Sequence, residues 1–169
     1  MEQWLVLGVG NTLLRDEGAG VHTVRYLEAH AAEPDDVELV DAGTLSFTLA
    51  PAVERATGLI VIDAARMGEP PGTVRVLEGE VMDAFLGRHR KLSVHEVSLA
   101  DLLQIARLTG ALPPRRALVG IEPESLDWGE APSEAVANAI PFAAAQARKL
   151  LSRWRREFPR GVATLLPPR

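Results

Sequence analysis

The run GLIVIDAA (58–65) is apolar on both faces, as befits a strand in the interior of a parallel sheet covered by helices on either side. The runs WLVLGVG (4–10), VELVDAG (37–43), VRV (74–76) and RRALVGIEPE (115–124) read as further strands. Helical patterns lie between them. EGAGVHTVRYLEAH (17–30) places Val21, Val24 and Leu27 on one stripe, and a short helix interrupted by Pro51 is expected over 46–53. LADLLQIARLTG (99–110) clusters Leu99, Leu102, Leu103 and Ala106, and is stopped by Gly110 and Pro113–Pro114. From about Ser133 to Trp154, the residues Val136, Ile140, Ala143, Ala147, Leu150 and Trp154 recur at spacings of four and three. Pro141 is expected to kink that helix or delay its start, and the basic RKLLSRWRREFPR (148–160) to form its solvated end. This alternation predicts an α/β fold, a three-layer α/β/α sandwich around a mostly parallel twisted sheet of about five strands. One domain is expected over 1–157, with 158–169 a loose tail.

Composition narrows the function. There are no cysteines, which excludes disulfides, cysteine-ligated zinc, iron–sulfur clusters and a cysteine nucleophile. A net charge of -5 disfavours non-specific nucleic-acid binding, which needs a basic face. The chain opens on a strand pattern without a leader, and no apolar run approaches the roughly 18 residues of a membrane span, so a cytoplasmic protein with no membrane partner is expected.

In parallel α/β sheets the working residues gather beyond the carboxyl ends of the strands. Asp16 and Glu17 follow the first strand, Asp41 and Asp63 end the second and third, and His95 lies beyond the fourth. Asp16 reads equally as a cap for the following helix, and Asp41 as a turn-former bonded to the amides of AGT. A carboxylate closing a buried strand, as Asp63 does, needs partners. Glu17, Asp63 and His95 together offer two oxygens and an imidazole, a set that suits a divalent metal shared with a substrate. His22, His30 and His89 read as surface or helix-face residues. The glycine loop is no nucleotide site: GVGNTL puts Leu13 at the third position of a dinucleotide fingerprint, no G-K-[ST] follows, and two acids would repel a pyrophosphate. A G-x-S-x-G elbow and an H-E-x-x-H helix are likewise absent.

GVGNTLLRDEGAGVH, DAGT, LIVIDAA, PPGTVRVLE, SVHEVSLADLL and LVGIEPES stand in the order and spacing of the [NiFe]-hydrogenase maturation endopeptidases, which the chain resembles over nearly its whole length. The resemblance implies a peptidase that removes a C-terminal extension from a hydrogenase large-subunit precursor after nickel insertion. It implies metal contacts from Glu17, Asp63 and His95, with the nickel supplied by the precursor. Asp16 and Asp41 match further acids of the pattern, implied to orient ligands or handle protons in catalysis. A non-catalytic nickel chaperone using the same ligands is the alternative, and a nucleotide-binding module a weaker one. Peptidyl-tRNA hydrolases share the opening turn but continue it differently from Thr12 and Asp16–Glu17.

Overall fold

Successive strand residues point to opposite faces of a sheet, and the core residues separate by that parity into two clusters. Trp4, Val6, Ile60, Ile62, Ala117 and Val119 pack on one side, and Leu5, Leu7, Leu59, Val61 and Leu118 on the other. The computed structural model describes residues 2–30, 32–89 and 97–157. Its five strands are β1 (Trp4–Val9), β2 (Val37–Gly43), β3 (Gly58–Ala64), β4 (Val74–Glu78) and β5 (Arg115–Ile121). They are ordered β2-β1-β3-β5-β4, parallel except for β4 against β5. Helices α1 (Ala19–His30) and α5 (Glu134–Glu157) cover the first face. Helices α2 (Ala50–Arg55), α3 (Gly79–Arg88) and α4 (Leu99–Leu108) cover the second. The expected three-layer α/β/α sandwich is therefore the observed one.

Local details refine these expectations. Pro51 starts α2 rather than interrupting a helix, because it occupies the first turn, where no helical acceptor awaits its missing N–H. Pro141 does not delay the start of α5, which runs on through it with Pro141 on the exposed face. The basic end of α5 is solvated, as expected, and also paired: Arg148 meets Glu33, Arg153 meets Glu78 and Arg155 meets Asp36. Helix α3 was not expected, since only Met82 of its ten residues is fully buried and its apolar stripe is correspondingly thin. The tail expected over 158–169 lies outside the described residues.

The order of the strands places a topological switch between β1 and β3, where the connections leave in opposite directions and a crevice opens at the carboxyl edge. Register keeps those ends level: Gly8 pairs with Asp41 on one side and Ile62 on the other. Helix α1 lies unusually close to this part of the sheet. A Cβ on Gly20 would stand 2.0 Å from the Ile62 carbonyl oxygen, and one on Gly8 would stand 2.4 Å from that of Gly20. Gly20→Ala is accordingly expected to cost about 3 kcal/mol, because backbone rather than a mobile side chain must give way. Gly43→Ala meets open space and only a left-handed φ of 50°, and is expected to cost about 1 kcal/mol. Urea denaturation of the two variants checks the contrast.

Candidate active site

The segment between β1 and α1 makes a sharp descent. Gly10 has φ 138°, and a Cβ there would lie 1.7 Å from the Glu17 carbonyl oxygen, so only glycine lets the turn fold back on itself. A short 3-10 turn over Arg15–Gly18 follows, with Arg15 at φ 44°. This turn is stitched to the segment after β5: the Arg15 amide donates to the Gly129 carbonyl at 2.8 Å, and the Gly129 amide to that of Leu13 at 2.9 Å.

Adjacent acids on this turn face opposite ways. Asp16 is wholly buried. It does not cap α1. One carboxylate oxygen accepts from the Glu124 amide (2.8 Å), the Ser125 amide (2.9 Å) and the Ser133 hydroxyl (2.8 Å), and the other from the Ser133 amide (2.6 Å). Burial alone would raise its pKa. The donors from Ser125, Ser133 and Glu124 outweigh that and hold the carboxyl below the usual aspartate range. Asp16 thereby ties the glycine turn to the head of α5.

Glu17 is half-buried and lines a cleft of about 500 Å³ at the carboxyl ends of β1, β2 and β3. Asp63, also half-buried, lines the same cleft. Both acids thus line the crevice at the strand ends. The cleft's walls are apolar, from Leu45, Phe85, Leu86, Leu99, Leu118 and Leu126, and among the described residues its ionisable lining also includes Arg66 and His89. His95 lies outside the described residues, and among those described no cluster of three or more His, Asp and Glu side chains is set to hold a metal ion. Asp41 is not part of the lining. Its carboxylate accepts from the Gly43 amide at 3.1 Å, the expected turn bond, and from Arg25 at 2.9 Å.

A model of the hydrogenase maturation protease family matches residues 21–150. The chain belongs to that family. It is 41% identical over 163 residues to the hydrogenase expression/formation protein HupD of Rhodobacter capsulatus, covering 95% of this chain and 77% of that one. It is 42% identical over 124 residues to the hydrogenase 2 maturation protease of Escherichia coli, covering 73% and 74%. The solved structure of the hydrogenase maturating endopeptidase HybD from E. coli superimposes with a TM-score of 0.83 at 37% identity, covering 90% of this chain and 93% of that one. As a member of this family the chain is a peptidase. No helix among its described residues is long and apolar enough to cross a membrane.

Several site residues escaped the sequence. Glu122 is buried, and its carboxylate accepts from the Met67 amide at 2.6 Å, fixing the segment after Asp63. Its signal was available, since it too ends a strand, in GIEP. Ser133 and the walls from Phe85 and Leu86 had no such signal. His89 is exposed, as expected, and also lines the cleft, stacked on Phe85 with centroids 4.2 Å apart. His22 stands half-buried on α1, its Nε2 enclosed beside Gly18, and burial, then Arg25, push its pKa down against the pull of Asp41. Asp16→Asn should cost about 2–4 kcal/mol, since an amide cannot accept from every donor that the carboxylate satisfies. Because folding lowers the Asp16 pKa, its stabilisation is fully present above the unfolded value of 3.8 and is lost as pH falls through the native value. Denaturation midpoints against pH should show a steeper acid limb for wild type than for this variant.

Proposed function

We propose that this peptidase removes a C-terminal extension from a hydrogenase large-subunit precursor once nickel is in place, and that Glu17, Asp63 and His95 contact that nickel. The observation that carries the reading is the convergence of Glu17 and Asp63 in one cleft, from two different strand ends. Two carboxylates at one cleft suit a cation that arrives partly coordinated by its own carrier. The names of the relatives, a hydrogenase expression/formation protein and a hydrogenase maturating endopeptidase, support the choice of substrate.

Hydrolysis adds water across the scissile amide and needs a proton acceptor within reach of that water. The half-buried carboxylates of the cleft supply one. Asp16 is assigned a positioning role, since all of its partners are protein groups that hold Glu17's turn in place. Asp41 positions the Gly43 end of the cleft in the same manner, through its bonds to Gly43 and Arg25.

The test is processing of the cognate precursor with and without its nickel, followed by mass spectrometry. Loss of the extension from the loaded form alone is the expected result, and Asp63→Ala or His95→Ala should lower that processing at least about a hundredfold in a folded protein. Cleavage of both forms would remove nickel from the recognition, normal cleavage by both variants would remove these residues from it, and tight binding without cleavage would make the protein a chaperone.

A further inference from the structure

Among the described residues, Arg66 brings a guanidinium to the lining of the cleft. It stands three residues past Asp63, and its side chain is exposed and makes no hydrogen bond or ion pair among the described residues. Several other arginines are engaged, among them Arg25 with Asp41, Arg75 with Glu69, and Arg107 and Arg116 with Asp83. The backbone beneath Arg66 is fixed on both sides, the Ala65 amide donating to the Ile121 carbonyl at 2.9 Å and the Met67 amide to the Glu122 carboxylate at 2.6 Å. A cation is thus presented from a fixed base at a cleft that Glu17 and Asp63 also line.

We infer that Arg66 is a specificity-determining residue that binds a carboxylate of the peptide occupying the cleft. This rests on the proposed peptidase reading. An incoming carboxylate is repelled by Glu17 and Asp63 and attracted by Arg66, so the charges orient the segment along the cleft as well as hold it. A guanidinium grips a carboxylate through two parallel N–H donors, and the apolar walls take the side chains flanking it. The carboxylate is the precursor's free C-terminus or an acidic side chain of its extension.

The experiment measures fluorescence anisotropy of a labelled peptide of the cognate precursor's C-terminal residues against wild type, Arg66→Gln and Arg66→Lys. Arg66→Gln is expected to weaken binding about tenfold and to flatten its salt dependence, with Arg66→Lys between the two. Amidating the peptide's C-terminus, or replacing its acidic residues by their amides, should reproduce the loss with wild type and leave Arg66→Gln unaffected; whichever does so identifies the carboxylate. In precursor processing, Arg66→Gln should raise KM by a similar factor with kcat within about twofold. Equal binding by wild type and Arg66→Gln, no effect of either peptide change, or no binding of the peptide by wild type overturns the inference. Failure of wild type to cleave the loaded precursor would overturn the peptidase reading separately, and the peptide titration still decides the role of Arg66.

Discussion

With no Cβ at Gly8 or Gly20, the first turn of α1 reaches backbone contact with β1 and with the Ile62 end of β3. Everything at the carboxyl edge follows from that approach. Larger residues at either position would lift α1 off the sheet, and the turn before it would swing away from the strand ends. Gly10 adds the reversal that brings the Glu17 backbone over β1. The glycines that look like a phosphate loop are spent on closeness between helix and sheet.

The paired acids then divide two tasks that one carboxylate cannot perform together. A carboxylate saturated by buried donors is a good anchor, because its charge is stabilised only when every donor is in place. The same saturation leaves it no lone pair for a substrate. Asp16 takes that role and joins the glycine turn to the segment after β5 and the head of α5. Glu17, one residue on, keeps its carboxylate at the cleft. Glu122 repeats the arrangement beside Asp63, clamping the amide of Met67 and so steadying the loop that carries Arg66.

What the sequence made legible was whatever strand and helix periodicity records. The double-faced apolar run of β3 set the sheet, and the position of Asp63 at its end marked the cleft. Asp16 and Glu17 are identical to such reasoning, since both follow β1, and only the tertiary partners at Ser125 and Ser133 tell them apart. Those partners lie more than a hundred residues away in sequence, beyond the reach of any local pattern. Helix α3 was hidden for a different reason. It shields an edge of the sheet, buries little of its own surface, and so carries a weak stripe, yet Phe85 and Leu86 wall the cleft. His89 was lost with it.

On the proposed reading, the shape of the site also bears on selectivity. Two carboxylates drawn from rigid strand ends make a poor trap for a free divalent ion, because much of its hydration must be surrendered for few protein ligands. The balance changes when the ion arrives already held by a folded precursor, since its dehydration has been met elsewhere and the peptide fills the apolar walls at the same time. Binding by the metal end and binding by the peptide end then reinforce one another through their shared connection, as two linked contacts do. Separating the charges within the cleft, acids at the strand ends and a guanidinium beyond them, makes that reinforcement directional. A cation and a carboxylate joined by one peptide satisfy both ends at once in only one orientation.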